Sequence, residues 1–131
     1  EYLMKHLPKD LRDKSVMVDG KMTSKRGKAQ REKAIEDMRA GKKHFLFATY
    51  ALAKEGLDIP RLDRLYLVTP QKDYAVIAQS VGRVARTFEG KVTPVVYDYV
   101  DNGIQYLVRS FKKRCTTYRK LGCYWIEGAV M

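Results

Sequence analysis

The sequence has 131 residues, which is enough for one domain with a hydrophobic core and too few for two. Hydrophobic residues make up 45% and charged residues 31%, as in soluble globular chains, and no run of 18 apolar residues predicts a transmembrane helix. The net charge of +11 predicts an acidic partner. Nucleic acid is favoured over a membrane, because no basic segment has a strong apolar face. The alternative is a basic surface that serves solubility.

The first part of the chain predicts a short helix, a strand and a second helix, at residues 1–7, 15–18 and 29–39. The segment before the second helix, 21–28, is basic and rich in small polar residues, and therefore predicts an exposed loop. The cluster of Lys25, Arg26 and Lys28 in this segment either contacts phosphate or is simply solvated.

The middle of the chain predicts two apolar strands, at residues 44–49 and 65–68. Between them, 50–60 predicts a loop with one helical turn. After the second strand, 73–86 predicts an amphipathic helix. At about 100° per residue its apolar residues share one face, namely Ile77, Val81 and Val84.

The opposite face of this helix carries Gln79, Arg83 and Arg86 at spacings of four and seven residues. An amide and two guanidinium groups on one rigid face suit an anion. Phosphate fits particularly well, because the planar guanidinium donates two parallel hydrogen bonds. The alternative is the solvated face of an ordinary amphipathic helix.

The last part of the chain predicts a strand at 94–100 and then a long helix that ends near Leu121. Asp101 or Asn102 is the predicted cap of this helix. The tail 122–131 follows and is predicted to fold back onto the domain. The predicted inner side of the helix is apolar: Ile104, Leu107, Val108, Phe111 and Tyr118. The predicted outer side is basic: Arg109, Lys112, Lys113, Arg114, Arg119 and Lys120. Cys115 and Cys123 form no CxxC pair and lie far from the two histidines, so we expect reduced cysteines and no metal site.

Alternating strands and helices, with strands apolar along their length, predict an α/β fold in which helices sandwich a parallel sheet. Ligands of such sheets lie beyond the carboxyl ends of the strands. The segments after Thr49, Thr69 and Asp101 should therefore share one edge, towards which Arg83 and Arg86 should point.

Two segments match a known family. Residues 48–60 resemble motif V of the superfamily 2 helicases, and 79–86 resemble their motif VI in its Q-x-x-G-R-x-x-R form. The run from Gly20 to Gly41 resembles the segment that precedes motif V, although its first half is longer than the usual DEAD-box pattern. The resemblance covers residues 1–122 and is closest to phage and bacterial members with a DEAD/DEAH-type first domain, related to XPB-like and type III restriction helicase subunits.

The resemblance implies one domain over residues 1–131, the RecA-like second lobe of a two-lobe motor, as a fragment of a longer chain that lacks its first strand. No Walker A sequence occurs here. ATP with Mg²⁺ would be held mainly by an N-terminal lobe of the same chain. The parent protein would be an ATP-dependent helicase on DNA, with RNA as the alternative, and a cytoplasmic monomer in a bacterial or phage-infected cell.

The resemblance also implies roles in the nucleotide site. Arg86 would be the arginine finger and Arg83 its partner at the γ-phosphate. Gln79 would contact the nucleotide or bridge to motif V. Gly82 would let the helix approach closely, and Gly56 would bring backbone to the nucleotide. Glu55 would hold a motif VI arginine. Asp58 would bind the ribose hydroxyls; the alternative is a turn residue before Pro60.

For nucleic acid, the resemblance implies that Thr49 binds a backbone phosphate, with Lys54 and Lys21 nearby. Tyr50 either joins this contact or packs in the core. Two other hypotheses stay open for the chain as a whole. One is a non-catalytic nucleic-acid-binding module, a degenerate lobe that uses the basic loop and the final helix. The other is a structural α/β domain with an incidental basic surface.

Overall fold

The computed structural model describes residues 2–54 and 57–126. Four short strands and six helices are formed in these residues, in the order α1 (Tyr2–Lys5), α2 (Lys9–Asp13), β1 (Ser15–Val18), α3 (Lys25–Arg39), β2 (Phe45–Ala48), α4 (Tyr50–Lys54), β3 (Arg64–Leu67), α5 (Tyr74–Val84), β4 (Val95–Asp98) and α6 (Gln105–Lys120). None of these helices is long and apolar enough to cross a membrane.

The strands are parallel, as predicted. β1 pairs with β2, with Ser15 opposite Phe45, and β3 pairs with β4, with Arg64 opposite Val95. Each pair is joined by a helical crossover, α3 in the first and α5 in the second, because parallel neighbours cannot be joined by a tight hairpin. Among the described residues the hydrogen bonds form these two pairs, so that two short parallel ladders replace the single predicted sheet.

Two apolar clusters form the core. The first joins β1, α3 and the segment around α4, through Val18, Ala34, Leu52 and Leu57. The second joins β3, α5 and α6, through Leu67, Ile77, Val81 and Tyr118. The opposite face of the β3–β4 pair is more open than the apolar strands predict, since Tyr66 is half exposed and stacks on Tyr97 with ring centroids 4.7 Å apart.

The basic segment before α3 was predicted as a loop as far as residue 28, and this is wrong for its second half. The hydroxyl of Ser24 accepts a hydrogen bond from the backbone N–H of Gly27 at 3.0 Å and caps a helix that begins at Lys25. Gly27 is buried, and a Cβ there would lie 3.0 Å from the Cα of Met22. A further short helix, α2, was not predicted.

The prediction for the outer side of α6 was also wrong at one position, Arg114. Arg114 is only 3% exposed and forms a bidentate ion pair with Asp98 at the end of β4, with N–O distances of 2.7 and 2.8 Å. Its third donor reaches the carbonyl of Gln71 at 2.9 Å, and the hydroxyl of Tyr118 donates to Asp98 at 2.6 Å. A buried carboxylate needs such partners, and they join α6 to β4 and to the loop before α5.

The ends of α6 differ from the prediction as well. Ile104, expected on the inner side, is at the N-cap and 49% exposed. Asp101 accepts a hydrogen bond from the backbone of Gly103 and does not cap the helix. In the tail, Trp125 packs edge-on against Phe111. The predicted fold-back is therefore only partial over 124–126, because Tyr124, Trp125 and Ile126 remain 75%, 66% and 51% exposed.

Candidate functional site

The site is built on α5. The carboxylate of Asp73 caps the helix by accepting hydrogen bonds from the backbone of Ala75 and Val76 at 2.8 and 3.3 Å. The apolar face is buried as predicted, through Val76, Ile77, Val81 and Val84. Gln79 and Gly82 are exposed on the other side and Arg83 is half-buried. The helix ends at Val84, so Arg86 lies just beyond it and not on its face.

The four residues predicted from motif VI line one open depression of about 260 Å³: Gln79, Gly82, Arg83 and Arg86. A larger depression of about 470 Å³ lies along α3 and is lined by none of them. Two guanidinium groups and an amide around an open space fit a polyphosphate. Within the described residues, no three His, Cys, Asp or Glu side chains lie close enough together to hold a metal ion. We therefore assign no Mg²⁺ ligand to these residues.

Asp58 joins motif V to motif VI. Its carboxylate accepts an ion-paired hydrogen bond from the guanidinium of Arg86. Its backbone carbonyl accepts a second bond from Nε of Arg39 at 2.6 Å. The side chains of Asp58 and Arg86 are 55% and 44% exposed, so water screens the pair and its contribution to stability is only about 0–1 kcal/mol.

Lys91 holds the end of α5, although it belongs to neither motif. Its ammonium donates to the carbonyls of Val84 and Arg86, both at 2.6 Å, and to that of Pro60 at 2.9 Å. Burial lowers the pKa of Lys91. The last carbonyls of a helix lack intrahelical partners, so a cation that follows a helix in the sequence is a candidate donor to them. This is the one sequence signal that could have identified Lys91.

Gly82 faces open space in this chain. A Cβ at this position would have no atom within 4 Å, and its φ is not positive. Neither backbone strain nor packing against the described residues therefore requires glycine here. The close approach predicted for Gly82 stays a prediction and requires a partner outside these residues.

The predicted nucleic-acid residues lie near the ends of β2 and β1. Thr49 is exposed directly after β2, and Lys21 is exposed in the turn that follows β1. Tyr50 packs against the second core cluster, and its hydroxyl donates to the carbonyl of Thr69 at 2.8 Å. Burial raises the pKa of Tyr50. This bond brings together the segments after β2 and β3, two of the three that were predicted to share an edge. Tyr50 has the contacts of the packing alternative.

Three predicted residues cannot be placed in the site. Glu55 and Gly56 lie outside the described residues. Lys54 is the last residue of α4, and its side chain also lies outside what the structure describes. The roles implied for these three residues stay predictions.

Comparison with known proteins identifies the family. The profile of the helicase conserved C-terminal domain matches residues 2–88. Putative helicase 22 of Sulfolobus islandicus filamentous virus is 32% identical over 111 residues, which are 85% of this chain and 20% of that protein. UvrABC system protein B of Bacillus licheniformis is 30% identical over 121 residues, 86% of this chain and 18% of that protein.

The homologous protein B of Bacillus velezensis is 31% identical over 91 residues, 65% of this chain and 13% of that protein. The chain thus spans a fifth or less of the length of these relatives. The family match covers both motif segments and the elements from α1 to α5, while β4 and α6 lie beyond it. The chain therefore belongs to the helicase C-terminal domain family of superfamily 2, with a RecA-like α/β fold.

Proposed function

We propose that this chain is the C-terminal motor lobe of an ATP-dependent nucleic-acid helicase or translocase. The observation that carries the proposal is the convergence of the four motif VI residues on one depression, with Asp58 of motif V against Arg86. The other half of the nucleotide site belongs to an N-terminal lobe of the same parent chain. The names of two relatives, a putative helicase and UvrABC system protein B, support this assignment.

ATP with Mg²⁺, when bound, supplies the γ-phosphoryl group that is transferred to water. Arg86 and Arg83 donate to its oxygens and place positive charge where negative charge accumulates in the transition state. An arginine in this role is worth about 10³–10⁵ in rate. Gln79 contacts the nucleotide from the same depression.

Bound nucleotide competes with Asp58 for the guanidinium of Arg86. When the lobes close, the guanidinium of Arg86 exchanges the carboxylate of Asp58 for phosphate, and Asp58 becomes available to ribose hydroxyls. The exchange is inexpensive because both side chains are half exposed, which limits the attraction between them.

Nucleic acid is held at the end of β2. The exposed hydroxyl of Thr49 donates to a backbone phosphate, and the exposed Lys21 after β1 adds a cation. Lys54 is proposed for the same contact from the motif alone. Contacts of this kind go to the sugar-phosphate backbone and carry little sequence preference. DNA is the proposed polymer and RNA the alternative. Closing and opening of the cleft then move the lobe along one strand.

The test is nucleic-acid-stimulated ATP hydrolysis by the parent chain, native against Arg86→Ala. We expect a loss of about 10³ or more in kcat with nucleotide binding retained. Arg12→Ala, which removes an exposed arginine of α2, is the matched control and should leave kcat unchanged. The isolated 131-residue chain should hydrolyse no ATP, and detectable turnover by the pure chain would contradict a site shared between two lobes.

Unchanged turnover in Arg86→Ala would favour the second candidate, a non-catalytic nucleic-acid-binding module. The observation in its favour is the strongly basic outer face of α6. Such a module would bind nucleic acid equally well with and without Arg86, and no nucleotide would change its affinity.

A further inference from the structure

The outer face of α6 is a cationic surface without acidic residues. Gln105–Lys120 contains no Asp or Glu. Five of its cations are exposed, and together they define the α6 basic face: Arg109, Lys112, Lys113, Arg119 and Lys120. At about 100° per residue they fall within about 120° of the helix circumference.

The orientation of this face is fixed by what lies behind it. Arg114, Cys115 and Tyr118 are buried on the opposite side of α6. The bidentate pair between Arg114 and Asp98 sets the rotation of the helix against β4. The α6 basic face therefore cannot turn inward without separating a buried ion pair, and it stays directed outward.

The α6 basic face also lacks compensating charge. Within the described ranges, none of its five cations lies within salt-bridge distance of a carboxylate, whereas Lys33 and Arg39 of α3 pair with Asp37 and Glu36. Like charges three and four residues apart on a helix destabilise it. Concentrated uncompensated charge of one sign attracts a polyanion.

Exposed aromatic rings lie at both ends of this surface. Tyr106 is 58% exposed, and Nζ of Lys72 lies 5.7 Å from its ring centroid. Tyr74 is 52% exposed, and Nζ of Lys120 lies 5.6 Å from its ring centroid. Exposed rings beside cations are surfaces on which unpaired bases stack.

We propose that the α6 basic face binds the sugar-phosphate backbone of nucleic acid, as a second contact surface distinct from the residues around Thr49. From Arg109 to Lys120 the helix extends about 16 Å, or about five phosphates of one DNA strand along the duplex axis. A membrane surface is not favoured, because the α6 basic face itself carries no apolar stripe that could insert, and Cys115 and Tyr118 on the opposite side are buried in the domain. The inference takes its class of partner from the proposed function but requires no arginine finger.

The experiment compares two variants of equal net charge. R109Q/K112Q/K113Q removes three cations of the α6 basic face, and K9Q/K14Q/K42Q removes three exposed lysines elsewhere. Binding of a short fluorescein-labelled DNA, as duplex and as single strand, is followed by anisotropy between about 50 and 200 mM salt. For the duplex, we expect the slope of log K against log salt to fall by about 3 in the first variant and by less than about 1 in the second, with an affinity loss of about tenfold or more in the first alone.

The charge-preserving variant R109K/K112R/K113R should keep the native slope. Equal slopes in the two charge-removing variants would overturn the proposal, because they would mean that only the overall charge matters. A slope loss in the charge-preserving variant would also overturn it. Displacement of the DNA by poly-glutamate at equal charge concentration would assign the face to an acidic protein instead. The Arg86→Ala result decides the motor function separately, since it measures hydrolysis and not this slope.

Discussion

The guanidinium of Arg86 lies against the carboxylate of Asp58, 28 residues earlier in the chain. The backbone carbonyls of the same two residues are held by other cations, Asp58 by Arg39 and Arg86 by Lys91. The main chain at both positions is thus fixed independently of the bond between the two side chains. The side chains are free to change partners without any movement of the backbone that carries them.

This arrangement predicts a weak coupling between the two side chains in the free protein. In a double-mutant cycle of Arg86→Ala and Asp58→Ala, followed by urea unfolding, the coupling energy should be below about 1 kcal/mol because both groups are half exposed. A coupling above about 2 kcal/mol would show that Asp58 locks Arg86, and the proposed exchange for phosphate would then be too costly.

Lys91 should matter far more for stability than an exposed lysine. Lys91→Met leaves three carbonyls without their charged donor and should lower the free energy of unfolding by about 1–3 kcal/mol. Lys28→Met, at an exposed position of α3, is the control and should change it by less than about 0.5 kcal/mol. Equal values for the two variants would mean that the three bonds of Lys91 contribute nothing.

Gly82 offers a test of close approach by a partner. Gly82→Ala meets no atom in this chain and should stabilise it by up to about 1 kcal/mol, since alanine is the better helix former. Gly27→Ala is the contrasting variant and should destabilise, because its Cβ would crowd the backbone of Met22. If the motif VI helix approaches bound nucleotide closely, Gly82→Ala will lower ATP hydrolysis by the parent chain despite the gain in stability. Unchanged ATP hydrolysis in Gly82→Ala would show that nothing approaches Gly82 closely.

The pH dependence of stability above pH 10 should depend on Tyr118. Burial, together with the hydrogen bond to Asp98, raises the pKa of Tyr118 well above its ordinary value of 10.0. The contribution of Tyr118 is therefore fully present below pH 10.0 and is lost as the pH rises above it, because the hydroxyl ionises in the unfolded chain and not in the folded one.

The comparison with Tyr118→Phe isolates this effect. The variant should be less stable at neutral pH by about 1 kcal/mol, through loss of one hydrogen bond, and should lose less stability than the native protein between pH 9 and pH 11. Tyr2→Phe, at a residue that is 73% exposed, is the matched control substitution. Parallel profiles for native protein and Tyr118→Phe would contradict the raised pKa.

The sequence by itself determined the features that depend on neighbours along the chain. The apolar spacing of Ile77 and Val81 predicted which face of α5 is buried, because hydrophobic periodicity reports directly on burial. The order of strands and helices predicted the parallel α/β fold. Motif VI supplied the four residues that line the depression at Arg86, and the roles of these residues stay predictions.

Only the tertiary structure decided how the charged groups pair. Nothing in the local pattern separates Arg114 from the exposed cations beside it, and its burial depends on Asp98, 16 residues earlier. Lys91 likewise donates to the carbonyl of Pro60, which lies 31 residues earlier in the chain. A polar side chain is buried only where a distant partner compensates its lost hydration, and the spacing of residues along a helix carries no information about that partner.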